Sequence, residues 1–242
     1  MLKVFLDDGG VLNDNARRAP QWAALIGPYL AGRYGGEASE WAAANARVAP
    51  ALWGRLRADT DPHGGWAKFE AQYAALWVRG MFAAVGRTPP PGADLIGVQR
   101  AAYEAVIPHV HAAIPGAVQA VKEAYALTGP LFMASGGASW ELEGYLASMG
   151  EGVRSLFAER LHGADLVDTL KEGAAYHPRV LTDAGVRPQD AVVVDDRADC
   201  VSWARAAGAR AVLIAPGGTA HANANAVIPH LGALPALLRA WA

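Results

Sequence analysis

Apolar and polar positions alternate in two distinct regimes along the chain. Lys3 to Leu6 is a short apolar run that stops abruptly at Asp7-Asp8-Gly9-Gly10, the pattern of a buried strand entering a tight loop. Residues from about 16 to 112 then place Ala, Trp and Arg at helical spacing: Trp22, Ala23, Ile26 and Tyr29, then Trp41 to Leu56, then Trp66 to Val85. Gly35-Gly36, Asp61-Pro62-His63-Gly64-Gly65 and Pro89-Pro90-Pro91-Gly92 punctuate them as turns. Beyond Pro115-Gly116 short apolar runs return, separated by helical stretches. Strands are expected at Leu131–Ala134, more weakly at Leu156–Ala158, and at Ala191–Val194 and Ala211–Ile214. Helices are expected at Ala117–Leu127, Trp140–Met149, Ala174–Ala184, Cys200–Ala207 and Leu234–Trp241. Strands alternating with helices of roughly 10 residues imply a parallel sheet with both faces covered. The expected architecture is a Rossmann-like, doubly wound α/β core, 1–14 plus 113–242, interrupted by an all-helical insert, 15–112.

Composition changes this picture little. Hydrophobic residues are 52% and charged residues 18% of the 242, enough apolar area for a substantial core. The net charge of -2, with no Lys/Arg block, argues against a nucleic-acid partner. The single cysteine, Cys200, excludes an internal disulfide and reads as a small buried filler. Arg79 breaks the best apolar run near residues 71–86, so no membrane span is expected. The acids at Asp7-Asp8 leave no room for a secretory apolar region, and a cytoplasmic location is the expectation.

Three of the apolar runs end in polar residues: Lys3–Leu6 in Asp7-Asp8, Leu131–Ala134 in Ser135-Gly136-Gly137, and Ala191–Val194 in Asp195-Asp196. Lys171 precedes the helix that leads to the last of these. Ligands of open parallel sheets collect at the carboxyl ends of strands. Carboxylates gathered there repel one another unless a cation intervenes, and hard oxygen donors suit Mg²⁺. A hydroxyl and an ammonium beside them suit phosphoryl oxygens. Taken singly, each group has a plainer reading as a turn, a loop, a helix N-terminus or a surface lysine.

As an ordered set they resemble the four motifs of the haloacid dehalogenase superfamily. The first, Asp-x-Asp-Gly-(Val/Thr)-Leu, is matched by Asp7-Asp8-Gly9-Gly10-Val11-Leu12, with Asp14 following. Phe132-Met133-Ala134-Ser135 is similar to the second. Lys171, with Tyr176 after it but without the usual prolines, is similar to the third. Val192-Val193-Val194-Asp195-Asp196 is similar to the fourth, and Ala204-Arg205-Ala206-Ala207-Gly208 resembles the helix end that follows it. The insert resembles the family's helical cap.

The resemblance implies a hydrolase acting on a small phosphorylated molecule. Asp7 would be the nucleophile that forms an aspartyl-phosphate. Mg²⁺ would be held by Asp7, the Gly9 carbonyl, Asp195 and Asp196. Ser135, Lys171 and the backbone amides of Asp8 and Gly136 would hold phosphoryl oxygens. The chain departs from the family at Gly9, where phosphatases carry an acid/base Asp, a group worth about 10²–10⁴-fold in rate. Asp8 would point the other way. Three readings accommodate Gly9: a phosphatase for good leaving groups or with a substitute acid, a carbon–phosphorus or carbon–halogen branch, or a binder of phosphorylated ligands without turnover. The paired acids Asp195-Asp196 argue against the carbon–halogen branch, and the phosphonate branch would need Lys68 as a Schiff base.

Other features read more plainly. His109-x-His111 lacks further metal ligands, the tryptophans fit packing between helices, and Arg17-Arg18 fit a solvated face. A Ser135 nucleophile with His162 or His177 lacks the Gly-x-Ser-x-Gly elbow. Gly217-Gly218-Thr219 is a loop. Oligomeric state is not legible.

Overall fold

A computed structural model describes residues 1–59, 65–218 and 220–242, with the side chains of 53–55 and 57–59 outside the description. The chain divides into two compact units, Met1–Asn15 with Ala112–Ala242, and Ala16–His111.

The first unit is built on a five-stranded parallel sheet: β1 Lys3–Leu6, β2 Phe132–Met133, β3 Ala191–Asp195, β4 Arg210–Ile214 and β5 Ala226–Ile228. Spatial order is β2-β1-β3-β4-β5. The apolar runs become central strands because both faces are covered. Val4, Leu6, Val192, Val194, Val212 and Ile214 join one buried cluster. It also takes Val121 and Ala124 of α5 (Ala117–Thr128), Leu142 and Leu146 of α6 (Ser139–Ser148), and Leu234 and Leu238 of α9 (Leu234–Trp241). Phe5 and Val193, one position over, face the opposite side, where Phe5 stacks on Phe132 at 4.8 Å. Each fully buried aliphatic side chain contributes roughly 1.5–3 kcal/mol. The remaining helices of this unit are α7 (Tyr176–Asp183) and α8 (Ala198–Ala206).

Chain order reverses at β1: the next strand pairs on one side of it, and β3, β4 and β5 build out from the other. That switch point, between the carboxyl ends of β1 and β3, is where an open α/β sheet forms its ligand crevice. The two ends of the unit's first segment are also fixed. Ile114 N–H donates to Leu12 O at 2.9 Å and Asp14 N–H to Ala112 O at 2.8 Å, so the chain leaves and re-enters through one antiparallel crossing.

Two expectations need correction. Leu156–Ala158 is not a strand: Arg154–Leu156 is a 3₁₀ turn, and the flanks of β2 receive only single bridges, from Phe157 and His162. The Arg154 guanidinium bonds the carbonyls of Ala158 at 3.1 Å and Glu159 at 2.8 Å, which curls the segment away from an extended course. β5 lay unnoticed because three residues between Asn225 and Pro229 leave no periodicity to read.

The second unit is helical throughout its described residues: most of α1 (Asn15–Tyr34), then α2 (Ala38–Asp59), α3 (Trp66–Ala84) and α4 (Leu95–Val106). The turn expected at 61–64 lies outside the described residues. Trp22, Trp41 and Trp77 pack against aromatic rings of neighbouring helices. Trp41 and Trp77 are fully buried, with their indole N–H groups bonded to Gly35 O at 2.9 Å and Asn45 Oδ1 at 3.2 Å. Lys68, His109 and His111 are exposed. No helix among the described residues is long and apolar enough to cross a membrane.

Candidate active site

Strand β1 delivers Asp7 one residue past its last pleat, and Asp7 N–H donates to Val194 O at 3.1 Å, which ties it to β3. β3 ends in Asp195, with Asp196 next. One carboxylate oxygen from each of Asp7, Asp195 and Asp196 lies within 4.8 Å of the others. Lys171 enters this cluster fully buried. Its Nζ sits 2.9 Å from Asp7 Oδ1 and 2.7 Å from Asp195 Oδ2, and donates to Ala134 O at 2.9 Å. One ammonium therefore joins the ends of β1, β2 and β3.

The electrostatics follow from burial. Desolvation would depress the Lys171 ammonium, but Asp195 and Asp7 outweigh it and hold the group well above the ordinary lysine value. Asp195 shows the opposite balance. Its burial outweighs Lys171, and with Asp7 adding repulsion its carboxyl is pushed up to about 6. Burial and Asp7 likewise raise Asp196, the most exposed of the three. Three carboxylates face one lysine, so roughly two negative charges stay unbalanced. That donor set fits a small divalent cation with hard oxygen ligands.

Neighbouring residues hold the cluster in shape. Gly10 has φ +79, and a Cβ there would fall 2.0 Å from Asp196 Oδ2, so only glycine lets that carboxylate lie over the loop. Asp8 is buried and accepts from Asn13 Nδ2 at 2.7 Å, while its carbonyl accepts the amides of Leu12 and Asn13. Its side chain thus braces the loop. Ser135 is buried at the end of β2, and Gly136 packs on the Lys171 stem, where a Cβ would meet Lys171 Cβ at 3.5 Å. Arg197 pairs with Glu172, next to Lys171, at 3.1 Å, and its N–H donates to Asp195 Oδ1 at 2.9 Å.

The structure brings Asp7, Lys171, Asp195 and Asp196 into direct mutual reach, with Gly136 against the lysine. Two contributors were not singled out from sequence. Tyr176 is fully buried and its hydroxyl lies 2.8 Å from Ser135 O and 3.0 Å from His162 O, pinning the Ser135 loop. Its spacing after Lys171 was visible, but not its role. The second is Asn15. A Cβ on Gly9 would lie 2.8 Å from Asn15 Nδ2 and 2.9 Å from its Oδ1, so a carboxamide occupies the space beside Gly9. Cys200 is buried and its thiol is pushed up by desolvation, which leaves it inert. No three-ligand group among the described residues includes His109 or His111.

No family model and no curated protein sequence matches the chain. Solved structures do match along its whole length. A 2-haloacid dehalogenase from Pseudomonas syringae pv. Tomato DC3000 is 24% identical, with 100% of both chains covered and a TM-score of 0.61. An HAD phosphatase from Thermococcus onnurineus is 20% identical over 98% of each chain, with a TM-score of 0.63. The L-2-haloacid dehalogenase of Xanthobacter autotrophicus is 18% identical over 100% of both chains, with a TM-score of 0.61. The chain has the haloacid dehalogenase fold. Within that fold, the carboxylate cluster and Lys171 stand at the β1/β3 switch point, where the topology alone locates a ligand crevice.

Proposed function

We propose that the protein is a Mg²⁺-dependent hydrolase of small phosphorylated molecules, with Asp7 as its nucleophile. The observation that carries this reading is the third carboxylate. Asp7 and Asp195 with Lys171 alone would carry one net negative charge, and Asp196 beside them doubles it to an excess that a divalent cation balances. Asp7, Asp195, Asp196 and the Gly9 carbonyl would hold the ion. When bound, it lets an anionic carboxylate and an anionic phosphate approach each other. The Asp7 carboxylate then attacks phosphorus and the leaving group departs; water later releases phosphate and restores the carboxylate. Lys171, 2.9 Å from Asp7 Oδ1, offsets part of the charge gathered there, and the Ser135 hydroxyl and the Asp8 and Gly136 amides would take phosphoryl oxygens.

The measurement is phosphate release from acetyl phosphate and 4-nitrophenyl phosphate, with and without Mg²⁺. Release is expected to need the metal and to be lost in Asp7→Asn. Turnover indifferent to that change would overturn the assignment.

Hydrolysis of a carbon–halogen bond by the same carboxylate is the second reading, favoured by the likeness to haloacid dehalogenases. A 2-haloacid carries a carboxylate of its own, and Lys171 is already shared between two acids. Metal-independent chloride release from 2-chloropropionate would favour this reading over the first. The phosphonate reading gains nothing, since Lys68 sits on an exposed face.

A further inference from the structure

Lys171 stands in a stretch, residues 163–175, that forms neither helix nor strand, so no ladder of backbone hydrogen bonds fixes the root of its side chain. Lysine carries a compact charge on a flexible four-carbon stem, and where that charge rests depends on what holds the chain beneath it. Arg197 supplies that hold. Its guanidinium donates to both oxygens of Asp199 in the first turn of α8, at 3.1 Å from Nε and 2.7 Å from Nη2, and its Nη1 reaches Glu172 Oε1 at 3.1 Å. Asp199 is itself fixed, since it accepts the Cys200 N–H at 2.8 Å. The Arg197 N–H holds Asp195 Oδ1 at 2.9 Å, while Asp195 Oδ2 holds Lys171 Nζ at 2.7 Å. These contacts close a ring that runs from Arg197 through Asp195, Lys171 and Glu172 back to Arg197. We propose that Arg197 is a positioning residue, whose guanidinium holds Glu172 and thereby sets the Lys171 ammonium between Asp7 and Asp195. Its consequence for turnover rests on the phosphohydrolase reading above.

A guanidinium presents its N–H donors in one fixed plane, so the fork on Asp199 sets the direction in which Nη1 points, and Glu172 meets it there. Ion pairs as open to water as these, with side chains 26–49% exposed, contribute little to global stability. A misplacement of about 1 Å at the reacting centre, by contrast, costs on the order of 10²-fold in rate. Loss of the guanidinium should therefore show in kcat before it shows in unfolding. The sign of the effect separates positioning from simple attraction. An arginine acting as a bare positive charge on an anionic substrate would oppose Glu172: removing the cation would raise KM, and removing the anion would lower it. When both act through their pair, the two changes lower kcat together. Replacing the side chain leaves the backbone amide on Asp195, so the variants isolate the guanidinium.

The test compares Arg197→Ala, Glu172→Gln and the double variant with the wild type, by phosphate release from acetyl phosphate with Mg²⁺ and by thermal unfolding. Each single variant should lose about 10- to 100-fold in kcat with KM changed less than about threefold, and the double variant should lose no more than the worse single one, as residues acting as a unit do. Thermal midpoints should stay within about 4 °C of the wild type. A second readout needs neither metal nor turnover. The Lys171 ammonium is buried within reach of Asp7 Oδ1, Asp195 Oδ2 and Ala134 O, so its protons exchange slowly. In protein labelled with nitrogen-15 at the lysine ammonium groups it gives a resonance that Lys171→Met removes. That resonance should shift or broaden in Arg197→Ala and in Glu172→Gln. An active wild type whose kcat and Lys171 resonance are unchanged in both single variants overturns the role of Arg197 and leaves Asp7 standing. A Glu172→Gln protein that only lowers KM overturns it as well. A wild type that releases no phosphate overturns the phosphohydrolase reading, and the resonance then decides alone whether Arg197 sets the ammonium.

Discussion

Lys171 lies within 3 Å of two carboxylates at 3% exposure, so its charge is part of the structure as well as of the site. Replacing it by Met removes the cation and keeps most of the volume. Removing one member of a buried ion pair costs about 3–5 kcal/mol. Lysine holds the Asp195 carboxyl down against its burial, so in Lys171→Met that carboxyl rises further above its unfolded value. A raised carboxyl costs stability that grows as pH rises from its unfolded to its folded pKa, so the two proteins part company only above the wild-type Asp195 value of about 6. The deficit of the variant against the wild type should therefore be largest near pH 8 and shrink towards pH 5. Denaturant titrations at both values measure it, and a deficit that does not vary with pH would show that packing rather than charge was lost. Gly10 gives a second test at this scale. Gly10→Ala puts a non-glycine residue at φ +79, costing about 1–2 kcal/mol, and drives a methyl into Asp196. The stabilisation that Mg²⁺ gives the wild type in thermal unfolding should be largely lost, in proportion to the displaced carboxylate.

At the scale of elements, α7 carries two side chains that serve the loops beneath it. Tyr176 holds the carbonyls of Ser135 and His162 through its hydroxyl, and Tyr176→Phe should cost about 1–3 kcal/mol by taking the hydroxyl from Ser135 O, while His162 O keeps the Ser135 N–H. His177, next in sequence, is buried with its Nε2 unpartnered among the described residues, and burial, aided by Lys171, pushes its imidazole down to about 3. Its folded pKa lies below the unfolded value near 6.5, so the unfolded chain takes up the proton first. The wild type should lose about 1.4 kcal/mol per pH unit through this group as pH falls from about 6.5 towards 3. His177→Gln should remove that slope, and parallel stability curves for the two proteins would overturn the assignment. These contacts also mark where the sequence became unreadable. β1 and β3 were legible because uninterrupted Val, Phe and Leu runs ending in acids admit few other interpretations. The cluster of Asp7, Lys171, Asp195 and Asp196 followed from knowing that parallel strands end at one edge. The Leu156–Ala158 segment has the composition of a strand, yet the guanidinium of Arg154, just before it, captures carbonyls at its end. The approach of Asn15 to Gly9 depends on how the loop bends between them, which spacing does not encode.

For the molecule as a whole, the placement of the insertion sets an independent constraint. Every residue assigned to the site belongs to the unit formed by Met1–Asn15 and Ala112–Ala242, although 96 residues, Ala16–His111, separate its two segments in sequence. The crossing of Leu12–Asp14 with Ala112–Ile114 closes that insertion with backbone hydrogen bonds inside the core unit, and within the inserted unit the Gln21 carboxamide bonds the His111 backbone at 2.8 and 3.1 Å. Loop-closure entropy grows only with the logarithm of length, so a short linker in place of the insertion changes the cost of closing the crossing little. Joining Asn15 to Ala112 through a short Gly-Ser linker should therefore leave a core that unfolds cooperatively in denaturant, with a smaller m-value in keeping with its reduced surface. If the metal is held as proposed, Mg²⁺ should still raise the thermal midpoint of the shortened chain, and Asp196→Asn should abolish that rise in both lengths. A shortened chain that folds but no longer responds to Mg²⁺ would mean that the helical unit supplies a ligand, and the carboxylate cluster at the β1/β3 switch point would then be only part of the metal site.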